Sequence, residues 1–111
     1  MTKLLKNKVA VISGANRGIG KCIVETFAEN GADVIACMRS ISSETVVWMN
    51  GLENKFNISV KPVLVDLSDE KSVKKSIKEI MIISKKIDIL VNNAGVATGA
   101  LFQMTTGVEL R

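Results

Sequence analysis

Eight residues carry the strongest chemical signal in this chain: "SGANRGIG", Ser13 to Gly20, directly behind the apolar run "VAVI". Gly14, Gly18 and Gly20 alternate with polar and small residues, and Arg17 stands among them. A helix start presents unpaired backbone N–H groups and a partial positive charge, which together suit a phosphate. Glycine lets the chain turn sharply and lets an anion approach without a Cβ in the way. On this reading Gly14 makes the turn, Gly18 admits the ligand and Gly20 packs the helix against the sheet. A second phosphate loop competes for the same residues, because "GIGKC" looks like the end of a nucleotide-hydrolase loop. That loop needs a hydroxyl residue after its lysine to hold magnesium. Cys22 stands there instead, and a thiol is a poor ligand for a hard cation.

The elements that must position this loop follow from apolar spacing. "VAVIS" (9–13), "DVIACM" (33–38), "VKPVLVDL" (60–67) and "IDILVNN" (87–93) are short runs, mostly rich in valine and isoleucine, and read as strands. Helical stripes lie between them. Ile19, Ile23 and Phe27 form the first, with Gly31 as a stop. Val46, Met49, Leu52 and Phe56 form the second, and Val73, Ile77, Ile80 and Met81 the third, with Ser68 or Asp69 to cap it. Strand and helix alternate, which predicts crossover units on a parallel sheet covered on both faces. Pro62 cannot donate to a ladder and belongs at an edge, where the doubly wound order 3-2-1-4 puts the third strand. The expected fold is therefore α/β, a Rossmann-type doubly wound parallel sheet ending after its fourth strand, in one unit over residues 1–111.

With the loop and the elements in place, the chain resembles the short-chain dehydrogenases/reductases. "SGANRGIG" resembles that family's Thr-Gly-x-x-x-Gly-x-Gly coenzyme loop, with Ser13 in place of the usual threonine. "VNNAG" (91–95) resembles its Asn-Asn-Ala-Gly motif, and "VDLSD" (65–69) its adenine-side turn. The flavour is that of the 3-oxoacyl carrier-protein reductases. The resemblance implies coenzyme contacts from Gly14, Ala15, Asn16, Arg17, Gly18, Ile19 and Gly20. It further implies that Asn93, Ala94 and Gly95 line the ribose, that Asp66 accepts from the adenine amino group, and that the Leu67 backbone lies beside it. The implied reaction is hydride transfer between a nicotinamide and a carbonyl or alcohol carbon.

Coenzyme preference is set after the second strand. A site for NAD puts an acid there to hold the ribose 2′-hydroxyl. Here the strand ends "IACMRS": Met38 occupies the acid's place, Asp33 is at the wrong end, and Arg39 follows. Arg39 and Arg17 suit a 2′-phosphate, which guanidinium groups bind in a bidentate, charge-assisted way. The expectation is NADP, with NADPH preferred over NADH.

The family's proton donor is a tyrosine, whose pKa near 10 must be lowered for acid–base work. This chain of 111 residues contains no tyrosine. The resemblance places the catalytic serine, tyrosine and lysine beyond Arg111, so the expectation is a fragment or truncated product, not catalytic alone, and no catalytic residue is assigned. The alternative is a non-catalytic module that binds dinucleotide or pairs with another subunit. The remaining composition excludes rather than points. No histidine is present, which rules out a Cys/His metal site, and Cys22 and Cys37 read as core thiols. A net charge of +4 with dispersed lysines does not imply nucleic acid. No apolar run approaches the ~20 residues of a membrane span, so a cytoplasmic protein is expected.

Overall fold

In the computed structural model, which describes residues 3–16 and 18–93, four strands and three helices alternate. They are β1 (Val9–Ser13), α1 (Gly18–Glu29), β2 (Asp33–Met38), α2 (Ser43–Phe56), β3 (Val60–Leu64), α3 (Glu70–Ile83) and β4 (Ile89–Val91). The strands form one parallel sheet in the order β3-β2-β1-β4. Val11 pairs with both Ile35 and Leu90, so the first, second and fourth strands are aligned at mid-sheet. Pro62 sits opposite Ala36 on β3, at the sheet edge where its missing N–H costs no ladder bond on the outer side.

Successive strand residues point to opposite faces, and both faces are covered. On one face Ala10, Ile12, Val34, Ala36 and Met38 pack with Val24 and Ala28 of α1 and Met49 and Leu52 of α2. On the other, Val11, Ile35, Cys37 and Val63 pack with Val73, Ile77 and Ile80 of α3. Burying each such aliphatic side chain stabilises the fold by roughly 1.5–3 kcal/mol.

The helix faces differ in detail from the stripes read off the sequence. In α1 the buried residues are Gly20, Val24 and Ala28, while Ile19 is 72% exposed and Ile23 and Phe27 are half-buried. The contact line is thus one residue further along, because small residues let the helix axis come nearer the sheet than isoleucine would. That rotation also turns Cys22 outward: only Cys37 is a buried thiol, and desolvation pushes its pKa up to about 12. Met81 and Val46 are likewise exposed at the margins of their stripes. Asp69 caps α3 by accepting from the Lys71 N–H, and Ser42 caps α2 by accepting from the Thr45 N–H. Gly31, at φ +93°, stops α1 in a conformation that suits glycine. Strands β3 and β4 are shorter than their apolar runs, and beyond their carboxyl ends Val65–Leu67 and Asn93 line the crevice described below.

The amino end of β4 is fixed by Asp88. Its carboxylate accepts from the Val9 N–H at 2.8 Å, its own N–H donates to the Val9 carbonyl at 2.9 Å, and Lys86 Nζ stands 3.4 Å away. The Val9 hydrogen bond, helped by Lys86 and opposed by partial desolvation, holds the Asp88 carboxyl below its ordinary value of 3.8. A depressed folded-state pKa adds stability at pH above the ordinary value and loses it as pH falls through the lowered one. Urea unfolding midpoints are therefore expected to drop between pH 5 and about pH 2, and to drop less in Asp88→Asn, which has already lost this contribution at pH 5. An equal acid loss in both proteins would remove Asp88 from this role.

Candidate functional site

The carboxyl ends of all four strands open into one crevice of about 850 Å³. The glycine loop contributes Ser13, Gly14, Asn16 and Gly18, the end of β2 contributes Cys37 to Ser40, the turn after β3 contributes Val65 to Ser68, and Asn93 closes the β4 side. This is where the chain reverses direction across the sheet, between β1 and β4, the place where open α/β sheets bind ligands.

Two glycines in the loop are required by the backbone. Gly14 and Gly18 have φ of +61° and +59°, the left-handed region that side chains disfavour. Beside Gly18 a Cβ would meet no atom of the described residues within 4 Å, so none of them fills the space over it. Gly20 serves a different need. A Cβ there would fall on the Gly14 carbonyl oxygen and within 2.6 Å of Asn93 Nδ2, so the first turn of α1 is pressed onto the loop and the β4 turn.

That contact belongs to a small hydrogen-bonded junction. Ser13 Oγ accepts from the Asn93 N–H at 3.0 Å and donates to the Val91 carbonyl at 3.3 Å. Asn93 Nδ2 donates to the Gly14 carbonyl at 3.2 Å. Ala15, fully buried, sends its N–H to the Cys37 carbonyl at 3.1 Å, tying the loop to β2. The Ser13 hydroxyl and the Asn93 side chain are structural partners that loop spacing did not reveal. A small polar residue at a strand end is the only signal, and it does not name a partner.

At the other end of the crevice Arg39 and Asp66 face each other, Arg39 Nη2 lying 3.9 Å from Asp66 Oδ2. The Arg39 side chain is 80% exposed. Asp66 Oδ1 accepts from the Ser68 hydroxyl at 2.6 Å and from the Ser68 N–H at 3.0 Å. These bonds lower its pKa, with a smaller contribution from Arg39, against some desolvation, and keep it an ionised acceptor. Asp66 does not cap α3, since Asp69 does. Asp33 is spent elsewhere, accepting from the Ser59 N–H at 2.9 Å.

The structure thus gathers Gly14, Asn16, Gly18, Arg39, Asp66, Leu67 and Asn93 around one crevice. Ala15 and Gly20 are buried, and the Ile19 side chain is exposed, all outside the crevice wall. Arg17, Ala94 and Gly95 lie outside the described residues. No group of His, Cys, Asp and Glu able to hold a metal occurs among the described residues. Nor does any described helix have the length and apolarity to cross a membrane.

A four-stranded 3-2-1-4 sheet with a glycine loop at its switch point defines a dinucleotide-binding fold of Rossmann type. The chain belongs to the short chain dehydrogenase family, whose model matches residues 8–109. It is 37% identical over 98 residues to the 3-oxoacyl-acyl-carrier-protein reductase FabG of Aquifex aeolicus, covering 88% of this chain and 39% of that one. L-sorbose reductase from Gluconobacter frateurii, solved with NADPH and L-sorbose, superposes with a TM-score of 0.76 at 34% identity, over 86% of this chain and 36% of that one. An alcohol dehydrogenase from Thermococcus sibiricus, solved with 5-hydroxy-NADP, gives 0.72 at 31% identity, over 80% and 37%. The chain spans about a third of the length of the relatives it matches.

The packing of Gly20 gives a direct test of the junction. Gly20→Ala is expected to cost about 1–3 kcal/mol, because the atoms it meets are backbone and a tethered amide. Chemical unfolding measures it; a neutral substitution would show the loop and the β4 turn to be uncoupled.

Proposed function

We propose that residues 1–111 are the NADP(H)-binding part of a short-chain oxidoreductase that transfers hydride between nicotinamide and a carbonyl or alcohol substrate. The crevice suits such a coenzyme on its own terms. It has space over Gly18 that no described residue fills at one end, an ionised acceptor at Asp66 and an exposed guanidinium at Arg39. The carrying observation is the end of β2, where Arg39 and Ser40 line the crevice and no carboxylate follows the strand. A carboxylate there would hold a ribose 2′-hydroxyl and repel a 2′-phosphate, while an arginine attracts it. Two of the solved relatives carry NADPH or an NADP derivative, which supports the same choice.

In this reading the start of α1, from Gly18 through Ile19 and Gly20, presents backbone N–H groups to the pyrophosphate, with Gly14 turning the chain beneath it. Asn16 and Arg17 border the ribose-phosphate side. Asp66 accepts from the adenine amino group with the Leu67 backbone beside it, and Arg39 leaves Asp66 for the 2′-phosphate. Asn93 is held to Ser13 and Gly14, and it lines the ribose together with Ala94 and Gly95, as the family resemblance implies. The bound coenzyme supplies a hydride; the residues named here bind and orient.

A second reading is a module that holds the coenzyme without chemistry.

Equilibrium titration with NADPH and NADH tests the proposal. NADPH is expected to bind at least tenfold more tightly, the scale of one charge-assisted phosphate contact of about 1.5–3 kcal/mol. Arg39→Asp is expected to remove or reverse that preference. A folded chain that ignores both nucleotides, or an Arg39→Asp variant that keeps the preference, overturns it. Added carbonyl compound is expected to leave bound NADPH unoxidised; turnover by the chain would refute the second reading.

A further inference from the structure

Asn16 belongs to the wall of the coenzyme crevice and also to that of a second cavity, about 250 Å³, shared with Lys21, Ser42, Glu44, Thr45 and Trp48. Lys21 lies in the first turn of α1 and is half-buried. Its ammonium stands 5.2 Å from the centroid of the Trp48 ring. Trp48 is in turn fixed from α1, its indole N–H donating to Glu25 Oε2 at 3.0 Å, and it packs against the core on that face of the sheet.

The manner in which Lys21 is held matters. Among the described residues no carboxylate forms an ion pair with it, Glu44 on the same wall included. The Glu25 carboxylate is turned to the indole. The Ser42 and Thr45 hydroxyls bond each other at 3.0 Å, and Ser42 also accepts from the Thr45 N–H at 3.1 Å, so the start of α2 is closed by its own residues. Lys21 is therefore positioned by an uncharged aromatic face, an attraction that leaves its full charge directed outward. The other side of Asn16 is the crevice, and the cavity reaches the β2–α2 loop that begins with Arg39.

We propose that Lys21 is a further determinant of NADPH preference beside the two arginines, acting on the 2′-phosphate from the α1 side as Arg39 does from the β2 side, with Trp48 as its positioning residue. This rests on the coenzyme reading given under Proposed function. A lysine acts as a point charge and needs no fork geometry, so it can stabilise the dianion across Asn16 without touching it. Interactions at this range are screened within about 8–10 Å at ordinary ionic strength, which sets the effect well below that of Arg39.

The test is a parallel titration of NADPH and NADH, followed by coenzyme fluorescence, with circular dichroism to confirm folding. Lys21→Gln is expected to weaken NADPH about threefold, the scale of one screened surface charge, and to leave NADH unchanged. The difference is expected to shrink as salt is raised. Lys21→Arg should keep the preference. Trp48→Leu should lose part of it and Trp48→Phe, which retains an aromatic face, should restore it. Equal weakening of both coenzymes, or no change in either, overturns the role of Lys21. If the unaltered chain prefers NADPH and Arg39→Ala abolishes that while Lys21→Gln leaves the preference at its full size, this inference alone falls. If the folded chain binds neither coenzyme, the reading of the site fails and takes Lys21 with it.

Discussion

The site depends on the contact between the glycine loop and the turn after β4. Ser13 Oγ stands between the Asn93 N–H and the Val91 carbonyl, Asn93 Nδ2 holds the Gly14 carbonyl, and the bare Cα of Gly20 closes over both. These residues are nearly 80 positions apart in sequence, so nothing local brings them together. The parallel pairing of β1 with β4 does, and the junction then sets the orientation of the loop peptides. Buried polar groups are costly unless paired, so a loop held in this way has few alternative conformations. Asp88 anchors the opposite end of the same strand pair through the Val9 backbone. Strand β4 has only three ladder residues, and its two ends are secured by side chains.

A second constraint is electrostatic. The crevice has one end lined by the glycine loop and a charged end made of Arg39 facing Asp66 across 3.9 Å. Both groups are substantially exposed, so their mutual attraction is weak and easily exchanged for contacts with a ligand. Asp66 remains ionised without Arg39, because its first support is the Ser68 hydroxyl.

Much of the fold was legible because its signals are local and redundant. Continuous valine and isoleucine runs, Pro62 at an edge and Gly31 after α1 agree with one parallel sheet order, and the sheet has that order. The helix faces were read less well. In α1 the isoleucine stripe suggested one contact line, whereas Gly20, Val24 and Ala28 form the buried one. Hydrophobic spacing marks which side of a helix is apolar, but the closest line is chosen by the smallest residues, which carry little hydropathy signal. Cys22 was misread for the same reason. In the site, the glycine positions and Arg39 are legible from spacing and charge, and Asp66 only through the family resemblance. The Ser13–Asn93 bridge and the Trp48 shelf under Lys21 are not, because each joins groups from separate elements.

By itself the sequence determined the element order, the glycine loop at a strand-to-helix transition, and the choice of arginine over an acid after β2. Each is a property of a short segment, fixed by backbone sterics, apolar spacing or formal charge. Tertiary structure alone decided which carbonyl Asn93 would hold, how near α1 could come, and that Arg39 and Asp66 would share one crevice. Those outcomes depend on distances between segments, and such distances exist only once the hydrophobic faces of the sheet have been covered.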